Sequence, residues 1–212
     1  MAFDIQQTDE LLSTTRAVRR RLDLEQDVPD ELLLRCIELA EQAPTGAGIS
    51  SRRWLVIRDP SIKKQLADLY RAAGGNGIID RAKEHSGTGH PMQGVMDSAA
   101  HLAANLERVP VLVLATVWGE HDGSGRPGLF DSVIQSAWSF CLALRARGLG
   151  SSWTTLHLGK SKEFAEILGI PEGVTQVVLL PVAWTIRTDF KPAPRRPASE
   201  IVWFDRWGYT KE

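Results

Sequence analysis

The run Pro110-Val-Leu-Val-Leu-Ala-Thr-Val117 is the clearest strand signal in the sequence. Its side chains are apolar at consecutive positions, a pattern typical of a strand that is buried on both faces in the middle of a sheet. Residues 174–184 form a second long apolar strand, and residues 54–57 form a short one. We therefore expect a sheet with the two long strands near its centre.

Helical patterns fill much of the rest of the chain. The apolar spacing and the end signals predict helices over residues 8–22, 29–43, 59–72, 94–107, 129–147 and 162–168, with loops over 74–92 and 119–128. The longest helix is apolar around most of its circumference, which indicates burial on several sides, including against a partner subunit. Helices and strands do not alternate regularly, so the sequence predicts one α+β domain over residues 1–212.

The charge balance excludes several classes of function. Among 212 residues there are 25 basic and 26 acidic side chains, whereas a nucleic-acid binder normally carries a basic excess. No window reaches the length of a membrane span, and the first residues lack a leader pattern. Cys36 and Cys141 form no CxxC motif, so we expect two buried thiols and a cytoplasmic protein.

Residues 15–21, Thr-Arg-Ala-Val-Arg-Arg-Arg, concentrate positive charge in a chain whose formal net charge is only -1. On a helix Arg16 would lie beside Arg19 and Arg20, so that their guanidinium groups converge on one anion. The guanidinium fork matches phosphate oxygens two at a time. Two interpretations stay open: a small phosphorylated ligand, or a solvated basic face.

Other patterns point to no specific chemistry. Gly159-Lys160-Ser161 lacks the earlier glycine of a phosphate-binding loop, because Thr154 occupies that position. His85 and His90 are too loosely placed in the predicted loop to indicate a metal site. The sequence therefore predicts neither a metal centre nor a side-chain nucleophile.

Four motifs in order resemble the nitroreductase family of FMN-dependent flavoproteins. They are Arg16-Ala-Val-Arg-Arg20, Ala43-Pro-Thr-Gly46, Gly148-Leu-Gly150 with the following Ser-Ser-Trp-Thr-Thr, and Asp189-Phe-Lys-Pro-Ala-Pro-Arg-Arg196, and the likeness spans residues 12–208. The resemblance implies a central mixed sheet flanked by helices and an intertwined homodimer. It also implies FMN at the dimer interface and a tail, from about residue 186 to 212, that extends over the partner subunit.

The resemblance further implies cofactor contacts from both ends of the chain. The family's phosphate-binding pair corresponds to Arg16 and Arg19, with Ala17 where a serine is more usual and Arg20 as a near neighbour. The other implied contacts are the loop against the flavin ring, the segment after the glycine pair and a late basic residue: Pro44, Thr45, Gly46, Thr154, Thr155 and Arg195 or Arg196. In one departure, residues 47–52 lack the Asn, Gln and Trp that usually continue the loop.

The implied reaction is hydride transfer from NAD(P)H to FMN and then to an electron-poor acceptor, such as a nitroaromatic or a quinone. The cofactor does the chemistry, and the protein orients it and stabilises developing charge. Lys83 or Arg81 are candidate cations near the reduced ring, with solvated loop charges as the alternative. Reductive dehalogenation, flavin fragmentation, and ligand binding without turnover stay open as alternatives.

Overall fold

The structure is a computed structural model that describes residues 3–120 and 129–209, so most of the predicted loop at 119–128 lies outside the described residues. Its centre is a four-stranded sheet in the order β1-β2-β4-β3. The strands are β1 (Arg52–Ile57), β2 (Val111–Trp118), β3 (Leu149–Ser151) and β4 (Val174–Trp184). The two long apolar runs therefore lie side by side in the middle of the sheet, as predicted.

The direction of the strands differs from the implied mixed sheet. All four strands of this chain pair antiparallel with their neighbours. An unbroken apolar run reports that both faces of a strand are buried, but it carries no information on strand direction. The sheet is central and buried, as implied, but within the described residues all of its strands are antiparallel to their neighbours.

Helices cover both faces of the sheet. They are α1 (Ile5–Thr14), α2 (Asp30–Ala40), α3 (Pro60–Tyr70), α4 (Asn76–Glu84), α5 (Gln93–Asn105), α6 (Leu129–Arg145) and α7 (Ser161–Leu168). One core joins α2 and α6 to one face, through residues such as Val113 and Phe140. The second joins α3, α5 and α7 to the other face, through Leu114 and Phe164. The predicted α+β class is confirmed, and within the described ranges no helix is both long enough and apolar enough to cross a membrane.

The predicted helix over residues 8–22 is wrong in its second half. Helix α1 ends at Thr14, and Thr15 already has extended backbone angles. The arginine segment instead runs along the sheet, where the Val18 amide donates to the Ser151 carbonyl at 2.7 Å and the Val18 side chain is buried. The chain then turns over residues 19–21, where the Leu22 amide donates to the Arg19 carbonyl at 3.3 Å, so the arginines do not lie on one continuous helix.

The predicted loop over residues 74–92 is wrong in its first half, where α4 lies, whereas residues 85–92 form turns as predicted. Gly74 has a φ of 139° within the π-helical turn Arg71–Gly75, and Gly87 and Gly89 have positive φ in the turns that follow α4. Gly75 and Gly77 adopt helical angles, and Ala82 is buried against the body of the protein. Gly74 thus bends the chain between α3 and α4, whereas Gly75 and Gly77 are tolerated inside helical structure.

His157 predicts a pH dependence of stability. The imidazole is fully buried beside the ring of Phe164, and neither ring nitrogen has a hydrogen-bond partner among the described residues. Burial lowers the pKa of His157 from 6.5 to about 4. Between pH 6.5 and about pH 4 the imidazole is protonated in the unfolded chain but not in the folded one. The free energy of unfolding should therefore fall by about 3 kcal/mol as the pH drops through this range. Denaturant unfolding of wild type and His157→Leu at pH 7 and pH 4.5 should show a smaller loss for the variant; parallel losses would contradict this.

Candidate functional site

The arginine segment lines a surface pocket of about 530 Å³. The other wall comes from the late part of the chain, and the lining consists of Arg16, Ala17, Val18, Arg19, Arg20, Arg21, Ser98, Asp189, Phe190 and Lys191. Five of these side chains are basic and one is acidic. The fold therefore brings the first and the last of the four sequence motifs together in one cationic site.

The pocket cations differ in how their charge is met. Arg21 Nη1 donates to Asp189 Oδ1 at 3.0 Å, and Arg20 lies 3.8 Å from a carboxylate oxygen of Asp97. Arg16 Nη1 donates to the backbone carbonyl of Lys191 at 2.8 Å. In the described part of the chain the half-buried Arg19 pairs with no carboxylate, and burial lowers the pKa of its guanidinium. An anion in the pocket would offset this unmatched charge.

Two buried hydroxyls form a hydrogen-bonded pair, and one of them, that of Tyr70, interacts electrostatically with Arg19. The hydroxyls of Tyr70 and Thr154 are 2.7 Å apart, and Thr154 also exchanges two backbone hydrogen bonds with Leu179. Burial raises the pKa of Tyr70, while the Thr154 hydrogen bond and the charge of Arg19 act in the opposite direction. Thr154 is thus fixed to the sheet and to α3, whereas Thr155 is exposed, and neither residue is part of the pocket lining.

The remaining predicted contacts lie elsewhere in the chain. Pro44, Thr45 and Gly46 follow α2, and the Gly46 amide donates to Ser132 Oγ of α6 at 3.4 Å. Arg195 and Arg196 are exposed in the tail. None of these five residues lines the arginine pocket. The described chain by itself therefore assembles only the cationic half of the implied site.

Sequence reasoning missed the residues that close the pocket. The Phe190 ring lies 5.1 Å from the Arg21 guanidinium and 4.7 Å from that of Arg145, a stacking that holds the tail against the body. Only the spacing of the late Asp-Phe-Lys motif signalled this part of the chain.

The candidate cations Lys83 and Arg81 are exposed on α4 and do not line the pocket.

Gly150 allows the arginine segment to lie against β3. A Cβ at this position would be 2.7 Å from the Thr185 side chain and 3.0 Å from that of Val18. We expect Gly150→Ala to displace the segment and to destabilise the protein by about 1–3 kcal/mol, measured by denaturant unfolding. Gly94→Ala is the matched control, because its Cβ would meet nothing within 4 Å. Equal stability of the two variants would refute the close packing.

Together, the fold and the pocket define an α+β protein with a cationic surface pocket. The family model described as the nitroreductase family matches residues 12–184, and the chain belongs to this family, whose members are flavoproteins and generally oxidoreductases. Among curated proteins no sequence matches significantly.

Solved structures share the fold at low sequence identity. The FMN-dependent nitroreductase NfnB from Mycobacterium smegmatis, in complex with NADPH, is 16% identical with a TM-score of 0.70, over 96% of this chain and 100% of that one. A BluB-like flavoprotein from Clostridium difficile 630 is 21% identical with a TM-score of 0.68, over 97% and 100%. An iodotyrosine deiodinase bound to FMN and 3-iodo-L-tyrosine is 22% identical with a TM-score of 0.67, over 89% and 94%. These likenesses establish the fold.

Proposed function

We propose that the protein is a homodimeric, cytoplasmic oxidoreductase that binds FMN and passes electrons from NAD(P)H to a small electron-poor aromatic acceptor, such as a nitroaromatic or a quinone. The observation that carries this proposal is the pocket lined by five basic side chains and one acidic side chain, in which Arg19 pairs with no carboxylate of residues 3–120 or 129–209. When bound, FMN supplies the two-electron chemistry by hydride transfer.

The donor set of the pocket fits the phosphate of FMN. Arg16, Arg19 and Arg20 offer planar, charged donors that match phosphate oxygens, and Ala17 between them leaves room for the ligand to approach. Each charge-assisted hydrogen bond of this kind contributes about 1.5–3 kcal/mol. The chain therefore holds the phosphate and sets the position of the attached ring through it.

A second copy of the chain completes the site in this proposal. The loop of Pro44, Thr45 and Gly46, the segment with Thr154 and Thr155, and Arg195 or Arg196 belong to it by the family resemblance. The loop and the two late arginines do not line the pocket within one chain. Small residues such as Gly46 let backbone groups approach a flat ring closely.

Exposed apolar surface supports the dimer. On α6 Ile134 and Trp138, one turn apart, are 45% and 43% exposed. An apolar groove of about 620 Å³ runs beside the edge strand β1, and its lining includes Leu34 and Val56. The tail is exposed and apolar over residues 201–204. We propose that each tail covers the β1 groove of the partner, which buries both surfaces.

A flavin titration followed by anaerobic reduction tests the proposed function. Purified protein mixed with FMN should retain the flavin absorbance bands after gel filtration. Adding NADPH or NADH without oxygen should bleach these bands, and a nitroaromatic or quinone should restore them. If FMN is retained but neither nicotinamide bleaches it, the proposal of an NAD(P)H oxidoreductase is wrong.

A binding protein with little turnover is the second candidate. The specific observation in its favour is the absence of amide side chains from residues 47–52, where the family resemblance leads us to expect Asn and Gln. Such a protein would retain FMN and resist reduction by nicotinamides. The same reduction experiment therefore separates the two candidates.

A further inference from the structure

Arg52, the first residue of β1, carries a guanidinium that is almost completely buried, with a side-chain exposure of 2%. Its Nη2 donates to the Ala43 carbonyl at 2.9 Å and lies 3.4 Å from the Glu41 carbonyl. Its Nη1 lies 3.4 Å from the Ser132 carbonyl of α6, and its Nε lies 3.4 Å from Glu41 Oε2. One side chain thus contacts the end of α2, the segment that follows it, and α6.

The carboxylate of Glu41 is fixed from its other side. Trp54 Nε1 donates to Glu41 Oε1 at 2.9 Å, and Ser136 Oγ lies 3.3 Å from the same oxygen and 3.0 Å from the Ala40 carbonyl. Every member of this cluster is supplied by α2 and its C-terminal extension, by β1 or by α6. The cluster therefore fixes the chain at the point where it leaves α2.

The charge of Arg52 suits this position. The carbonyl groups at the C-terminal end of a helix carry partial negative charge, and a buried cation is stabilised when such groups and a carboxylate surround it. A guanidinium can reach several acceptors at once because its five N–H groups form a planar fork. A lysine ammonium cannot contact the same set in the same geometry.

The loop of Pro44, Thr45 and Gly46 begins directly after these contacts. Ala43 immediately precedes it, and the Gly46 amide faces Ser132, the residue whose carbonyl also contacts Arg52. Since residues 47–52 carry no amide side chain, backbone groups and hydroxyls are the polar atoms that this loop offers to a ring. The position of that backbone depends on the segment that Arg52 holds.

We propose that Arg52 is a positioning residue for the ring-facing loop: it fixes the backbone of Glu41 and Ala43 and so sets where Pro44, Thr45 and Gly46 lie. The inference rests on the proposed function for the statement that this loop faces FMN. The buried cluster itself is independent of any ligand, so the order of the loop can be measured without one.

The test compares Arg52→Gln and Arg52→Lys with the control Arg53→Gln. Arg53 is the next residue of the same strand, but its side chain is exposed. For Arg52→Gln we expect hydrogen exchange at the amides of residues 45–49 to accelerate at least tenfold, with unchanged exchange in β2 and β4. The FMN dissociation constant should rise at least tenfold, and the visible circular dichroism of the bound flavin should change. Arg52→Lys should restore part of each effect, and Arg53→Gln should stay within twofold of wild type.

Two results would overturn the inference. One is unchanged exchange and unchanged flavin spectra in a folded Arg52 variant; the other is equal acceleration in β2 and β4, which would indicate a general structural role. If Arg52→Gln does not fold, Arg52→Lys carries the same comparison. Failure of the wild type to bind FMN would refute the proposed function, while the exchange measurement still decides whether Arg52 orders the loop.

Discussion

Replacing Arg16 and Arg19 together by glutamine is expected to weaken FMN binding by about 100-fold to 10,000-fold. Both side chains line the cationic pocket, and among the described residues no carboxylate pairs with Arg19. Each charge-assisted hydrogen bond to a phosphate contributes about 1.5–3 kcal/mol, so each substitution alone should cost about tenfold to 150-fold. Fluorescence titration of the flavin-free protein with FMN measures the effect.

Arg35→Gln is the matched control for this substitution. Arg35 is an exposed arginine of α2 that pairs with Glu38, and its removal changes the net charge by the same amount per site. Its effect on FMN binding should be less than twofold at physiological ionic strength, where exposed charges beyond about 8 Å are screened. Equal losses in Arg35→Gln and the pocket variants would mean that general attraction, and no specific site, explains the binding.

Placing a charge in the tail is expected to break the proposed homodimer. Trp203 and Phe204 are exposed apolar side chains in a segment that we propose lies in the β1 groove of the partner. Trp203 is 36% exposed, so only that part of its surface can be buried against the partner, but Trp203→Asp would also place an unpaired carboxylate in an apolar groove. Together, these two effects should remove several kcal/mol of association energy. We expect the dimer dissociation constant to rise at least 100-fold in sedimentation velocity experiments.

A second substitution on the opposite surface should have the same effect. Val56 lies in the groove beside the edge strand and is 38% exposed, so Val56→Asp should also dissociate the dimer. Leu158→Asp is the control, because Leu158 is similarly exposed at 39% but lines neither the groove nor the tail. A dimer that survives both Trp203→Asp and Val56→Asp would exclude the exchanged tail.

The sequence contained enough information for the core of the fold. Strands β2 and β4 are buried on both faces, and such burial can be predicted from an unbroken run of apolar side chains. The arginine segment was misread because four arginines and a valine suit a helix as well as a strand edge. What decided its conformation was a long-range contact, the hydrogen bond from Val18 to Ser151, which no local pattern reports.

The site was predictable only in part for a similar reason. The local charge of the arginines predicted an anion site. The late Asp-Phe-Lys motif indicated the segment that forms the opposite wall of the pocket. The cluster around Arg52 was not predictable, because its members come from α2, β1 and α6 and carry no shared motif. In the sequence, Arg52 is an ordinary charged residue at the start of a strand. Only the structure shows that its guanidinium is buried beside the Glu41 carboxylate.

The most direct test of the proposed phosphate site compares FMN with riboflavin, which has the same ring and ribityl chain but no phosphate. Calorimetric titration of the flavin-free protein should show FMN binding at least 100-fold more tightly than riboflavin, and Arg16→Gln/Arg19→Gln should lose most of this difference. Equal affinity for FMN and riboflavin in the wild type would show that the cationic pocket does not hold the phosphate.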